Sequence, residues 1–190
     1  FDQDLDGDGF TGINTNDLGN ISTDTSGHQL KVSSDGYVYI WDGQDDSVLT
    51  SVADSSGGQP SLQESHEWEF GSFSMQPYAV TLIDGKDADD YFRLLVKISD
   101  SWTEPNGNVN ENVNWELYKL STEGIIDYEG KVWTDSITSW EDEFDMDLNG
   151  DGDKSGQVSV KFRETDTSGS DGVRLGSDVD GSLYILNNNE

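Results

Sequence analysis

The sequence predicts an all-β protein: mostly antiparallel sheets, sandwich-like and built from repeat units, with one short helix leading into the second of two acidic loops. Three observations carry this expectation. Alternating apolar and polar residues flank Asp-Gly pairs in QLKVSSDGYVYIW (29–41) and VRLGSDVDGSLYIL (173–186), the local chemistry of hairpins whose turns need a positive φ. A second series of alternating runs lies between Trp68 and Trp133, broken by Asp84-Gly85 and by Glu104-Pro105-Asn106-Gly107. The chain also writes one text twice. FDQDLDGDG (1–9) recurs as FDMDLNGDG (144–152), TDTSG (23–27) recurs at 165–169, and DGYVYI (35–40) recurs as DGSLYI (180–185). Three matches in the same order read as one full period and the beginning of the next.

The elements follow in order. Residues 1–52 hold the first acidic loop and its hairpin. Residues 53–64, ADSSGGQPSLQE, are small, polar and Gly-rich, and read as a surface loop. Strands are expected near 68–74, 78–83, 91–98, 113–120 and 130–134, so that 53–143 forms a Trp-rich antiparallel segment. Ser139 precedes an acid three positions on, Asp142, and Ile137, Trp140 and Phe144 share a helical face, which predicts the short helix. Residues 144–190 then hold the second acidic loop and the second hairpin.

Composition limits the function classes. The chain carries 10 Lys plus Arg against 39 Asp plus Glu, a formal charge of -29, so counter-ions are expected. With 32% hydrophobic residues it is too apolar for a wholly disordered acidic tail. Without cysteine there are no disulfides, thiol nucleophiles or thiolate metal sites. His28 and His66 are the two imidazoles, too few for a zinc centre. Nucleic-acid affinity rests on cations neutralising phosphates, so this balance argues against DNA, RNA and anionic lipid surfaces. No apolar run reaches the ~18–20 residues of a membrane span, and no membrane insertion is expected. The chain opens inside a motif whose second copy is preceded by Ser139 to Glu143, which points to a piece of a longer repetitive protein.

The acidic phrases point to calcium. In DLNGDGD, Asp147, Asn149 and Asp151 alternate with Leu148 and Gly150, Gly152 lets the backbone curl, and the Asp153 carbonyl falls at the seventh position of a calcium loop. In the first copy the groups are Asp4, Asp6, Asp8, Gly9 and the Phe10 carbonyl. The twelfth position, where a bidentate Glu is wanted, is Val158 in one copy and Thr15 in the other. Further oxygens would come from Asp2, Asp17 or Asp145, from another strand or from water. A flexible cage of carboxylates and carbonyls suits calcium better than magnesium, which demands a strict octahedron.

These residues resemble the tryptophan-rich C-terminal domain family of secreted cyanobacterial proteins, whose modules carry aromatic strands and then a phrase like WxxxFxxDLNGDG. Here that phrase is Trp140-Glu141-Asp142-Glu143-Phe144 followed by Asp147-Leu148-Asn149-Gly150-Asp151-Gly152, and the likeness covers about 66–156. The resemblance implies a non-enzymatic accessory module of a large secreted or cell-surface protein, with neighbouring repeats of the same chain as partners.

Two roles remain open. One is a structural or adhesive repeat; the other is a carbohydrate-binding module carried by an extracellular enzyme, with a polysaccharide or cell-surface glycan as ligand. Among the six tryptophans, most of which should fill the core, Trp102 beside the Glu104–Gly107 turn is the candidate for an exposed ligand contact. Acids such as Glu67, Glu69 and Glu116 are numerous, but nothing in the sequence marks a catalytic pair.

Overall fold

A computed structural model of the protein describes residues 18–43, 49–85, 89–150, 152 and 154 and the strands Lys161–Thr165, Val173–Ser177 and Leu183–Asn187. It is all-β with one short helix, and divides into two units, Phe1–Ser136 and Ile137–Glu190.

The first unit holds two antiparallel meanders. One runs β1 (Gly19–Thr23), β2 (Gln29–Val32), β3 (Val38–Trp41), β4 (Leu49–Ser51). The other runs β5 (Glu64–Trp68), β6 (Gly71–Ile83), β7 (Tyr91–Thr103), β8 (Val109–Ser121), β9 (Ile126–Thr134). Each strand lies beside its predecessor, with no crossover in either sheet. The two sheets share one core. Leu30, Val32, Val38 and Ile40 from the first meet Val80, Phe92, Leu94, Val96, Tyr118 and Leu120 from the second, with Val52 and Leu62 from the connecting segment between them. Alternation is the cause: Leu30, Val32, Leu94 and Val96 sit two apart on their strands, so one face of each sheet is apolar. Fully burying such a side chain stabilises the fold by about 1.5–3 kcal/mol.

The turns obey a single rule. In Asp24–His28, Ser33–Tyr37, Asp54–Gly58, Glu104–Asn108 and Ser121–Ile125 the first residue's amide donates to the fifth carbonyl and the fourth residue's amide donates to the first carbonyl. The fourth residue is always glycine, at φ +96, +82, +85, +87 and +82. A left-handed residue after a turn is where a Cβ costs most. In four of the five, the side-chain oxygen of the first residue accepts from the amides that the turn leaves over: Asp24, Ser33, Asp54 and Ser121. The Asp35-Gly36 turn expected from sequence is one of this set. Asp24 also explains part of the repeated TDTSG text, because its carboxylate, almost wholly buried, holds Ser26, His28 and the Leu82 amide of β6.

Several strands depart from expectation. The segment 68–74 contains the β5–β6 turn, Trp68 pairing with Gly71 across Glu69-Phe70. The expected strands 68–74 and 78–83 are joined, since β6 runs through Pro77, which sits beside a bulge between Pro77 and Ala79 in its ladder with β7. Strands β7 and β8 run to 13 residues each, beyond the apolar stretches that signalled them.

Cations are few, and their use is uniform. Every Lys and Arg among the described residues of this unit lies over an aromatic ring: Lys31 over Trp41, Arg93 and Lys119 over Tyr91, Lys97 over Trp115, and Lys131 over Tyr118 and Trp133, at 4.5–5.7 Å.

In the second unit a 3-10 turn (Thr138–Trp140) leads into α1 (Glu141–Phe144), and β10 (Lys161–Thr165), β11 (Val173–Ser177) and β12 (Leu183–Asn187) form a three-stranded meander. Ser139 lies within the 3-10 turn, and the residue preceding α1 is Trp140, which makes no side-chain cap, so the helix forms without the expected capping serine. The repeat is structural as well as textual. β1 and β2 pair as Asn20 with Lys31, skip Ile21, then Ser22 with Leu30. β10 and β11 pair as Phe162 with Gly176, skip Arg163, then Glu164 with Leu175. Leu30 faces Ile40 as Leu175 faces Ile185, and Lys31 faces Tyr39 as Gly176 faces Tyr184.

Candidate metal centre

The described part of the second acidic loop is built outward from α1. Ile137, Glu141 and Phe144 fall at i, i+4 and i+7, the inward face of the helical segment, and Leu148 follows from the loop beyond it. All four are buried, Glu141 and Phe144 completely. Glu141 stands where an apolar residue is expected, and the structure shows why. Its Oε1 accepts the amides of Leu148 and Asn149, both at 3.0 Å, and so pins the loop back onto the helix. The helix ends at Asp145, whose φ of 47 is the one positive value at a non-glycine among the described residues.

Asp147 organises the next turn. Its Oδ1 accepts from Gly150 at 2.7 Å and its Oδ2 from Gly152 at 2.9 Å, wrapping the chain around the carboxylate. Gly150 and Gly152 take φ of +80 and +91, and a Cβ at either would meet nothing within 4 Å, so conformation rather than space requires glycine there. The Asn149 amide nitrogen donates to Thr138 Oγ1 at 3.2 Å. Lys154 comes within 3.8 Å of Asp145, both largely exposed, a contact worth little in water.

The donor chemistry suits a hard, oxygen-seeking cation: carboxylates, a side-chain amide and a tightly curled backbone, with no sulfur or imidazole. Of the expected ligands, Asp145, Asp147 and Asn149 are placed as above. Asp151 and Asp153, and in the first copy Asp2, Asp4, Asp6, Asp8, Phe10 and Asp17, lie outside the described residues. Among the described residues no three acidic or histidine side chains converge as a metal-binding group.

In the first unit, Trp102 is the last residue but one of β7 and is 44% exposed. The acids do not pair. Glu67 faces Ser72 on one face of the sheet, while Glu116 is buried on the other, holding Lys131 at 2.9 Å and accepting the Tyr118 hydroxyl. Burial first, then the Glu116 hydrogen bond and charge, pushes the Tyr118 phenol far above the ordinary tyrosine range. His28 is held by Asp24 at 3.0 Å, and His66 is exposed on Phe73. No protein-family profile, characterised protein or solved structure matches this chain.

Proposed function

We propose that the protein is a calcium-stabilised, non-catalytic repeat module of a larger secreted or cell-surface protein, with a structural or adhesive role of the kind implied by its resemblance to the tryptophan-rich secreted modules. One observation carries the reading: β1–β3 and β10–β12 repeat the same meander with the same bulge, each following an acidic loop of the same text. A chain that restarts its own period is built to be extended by further copies.

Asp147, Asn149, Asp151 and the Asp153 carbonyl would hold the ion in one loop, and Asp4, Asp6, Asp8 and the Phe10 carbonyl in the other, with Asp2, Asp17 and Asp145 as additional donors. Bound calcium supplies positive charge to acids that otherwise repel one another. The chain's own part is to present the oxygens. Glu141 fixes the loop to α1, Asp147 sets its curl, and the two glycines permit it. Extracellular calcium at millimolar levels keeps such sites filled even when they are weak.

The test is thermal unfolding with excess calcium and after exhaustive chelation. An ion at a hundred times its Kd stabilises the folded state by about 2.7 kcal/mol, so the melting temperature should rise with calcium and proteolysis at 144–153 should slow. Asp147→Ala should remove most of the shift. An identical melt with and without calcium refutes the reading.

A further inference from the structure

One face of the β5–β9 sheet extends past the sheet that covers it. Residues directly opposite in an antiparallel pair point to the same side, so the register orders this face in rows. Leu82, Phe92, Leu120 and Ile126 make one row, Val80, Leu94 and Tyr118 the next, and all belong to the shared core. Further along come Phe73, Asp100 and Asn112 with His66, and at the end Trp68, Gly71, Trp102 and Asn110. Here the face is open: Trp68 is 50% and Trp102 44% exposed.

The end row brings two tryptophans to either side of a glycine. A Cβ at Gly71 would meet the Ser101 carbonyl oxygen at 2.2 Å and Trp68 Cε2 and Cζ2 at 2.9 Å, so the Trp68 indole lies against the glycine. Trp102 is the next strand's residue in that row, about 10 Å from Trp68 at two interstrand spacings. Asn110 continues the end row on β8, and Asp100 and Asn112 share the row before it. The Asn110 amide nitrogen is shielded from solvent and has no hydrogen-bond partner among the described residues. Buried amides are nearly always bonded, so this donor is unmet, and a rotation of the Asn110 side chain would carry it from its shielded position to a ligand on the open face.

We propose that this overhang binds a neutral β-linked glucan. Its pyranose rings would lie over Trp68 and Trp102, and its hydroxyls would bond Asn110, Asn112 and Asp100. Equatorial hydroxyls leave both faces of such a ring covered with C–H groups, which match an indole face. Charge selects against the alternatives. Glu64 and Asp100 lie on this face of a chain of net charge -29, and Lys131 is engaged with Glu116, so uronates, sulfated glycans and phosphates meet repulsion.

The site lies apart in sequence from the acidic loops, and its test is separate from the calcium melt. The calcium-loaded chain is titrated with cellohexaose, laminarihexaose and an oligogalacturonate, read by calorimetry and tryptophan fluorescence. One or both neutral oligosaccharides should bind and the galacturonate should not. Trp68→Ala and Trp102→Ala should each weaken binding at least tenfold while retaining the wild-type circular dichroism, and Val109→Ala, on the opposite face of β8, should leave it unchanged. Binding of neither glucan, equal affinity for the galacturonate, or wild-type affinity in both tryptophan variants overturns the proposal. So does a dimer that Trp102→Ala dissociates in protein that binds no glucan, since the face would then belong to a second copy.

Discussion

Replacing Gly124 and Gly107 by alanine, one at a time, separates two costs that most turn substitutions confound. Both glycines occupy the fourth position of the same turn, at φ +82 and +87. At Gly107 a Cβ would meet nothing within 4 Å, so Gly107→Ala carries only the left-handed penalty, about 1–2 kcal/mol. At Gly124 a Cβ would come within 2.3 Å of the Ser51 carbonyl oxygen and 2.8 Å of Thr50 Cγ2. The oxygen belongs to the backbone and cannot rotate away. Overpacking adds about 1–3 kcal/mol. The displaced region is also the seam between the sheets, where the Ala53 amide donates to the Gly124 carbonyl at 3.0 Å and the Ile126 amide to the Ala53 carbonyl at 2.8 Å. Gly124→Ala should therefore be the less stable variant by roughly 1–3 kcal/mol in urea unfolding. At about 2–4 °C per kcal/mol for a chain of this size, it should melt several degrees lower. Gly27→Ala, at φ +96 with open space around it, should behave like Gly107→Ala. If the three variants lose the same stability, the close approach of β4 to the β8–β9 turn is not what requires glycine at 124.

Two further expectations concern the buried Glu116 network. Lys131→Met leaves the Glu116 carboxylate buried without its cation and should cost about 3 kcal/mol, while Lys131→Met with Glu116→Gln should cost less than the single change; a loss under about 1 kcal/mol for the single variant in urea unfolding would count against the pair. The Tyr118 phenol is held neutral when folded, so its raised pKa contributes stability that is full below the unfolded value of about 10 and is lost as pH rises above it. In an ultraviolet titration below the unfolding pH, wild type and Tyr118→Phe should therefore ionise the same number of tyrosines, and one fewer in the variant would contradict the burial.

Two of the five turns, at Asp35-Gly36 and Glu104–Gly107, were legible as turns, because Asp-Gly and Pro-Asn-Gly display their use openly; Asp24–Gly27 showed only as repeated text, Asp54–Gly58 only as part of a polar loop, and Ser121–Gly124, a single glycine between two strands, did not show. Leu94 to Ile98 and Leu117 to Leu120 were legible too, since burial against a second sheet forces apolar alternation. The outer halves of β7 and β8 were not. Ser99-Asp100-Ser101 and Asn110-Glu111-Asn112 extend past the covering sheet, so nothing requires them to be apolar, and only the ladder shows that they are strand. The β5–β6 turn hid for the opposite reason: Glu69-Phe70 contains neither Gly nor Pro. At the candidate metal centre, Asp147 and Asn149 announced themselves by spacing. Glu141 did not, although an acid at the i+4 position between Ile137 and Phe144 was a visible violation of the apolar face. Its role depends on amides of Leu148 and Asn149, contacts that spacing alone cannot reveal.

The strict neighbour-to-neighbour order of β5 to β9 bears on how the chain reaches its native state. Each strand finds its partner a few residues back, so loop-closure entropy stays small at every step and the sheet can zip in the direction of synthesis. Among the described residues the one strand pairing between distant segments is the Ala53–Ile125 bridge, which joins the end of the first meander to the turn that closes the final hairpin. A protein assembled this way can be lengthened by duplication without threading one copy through another.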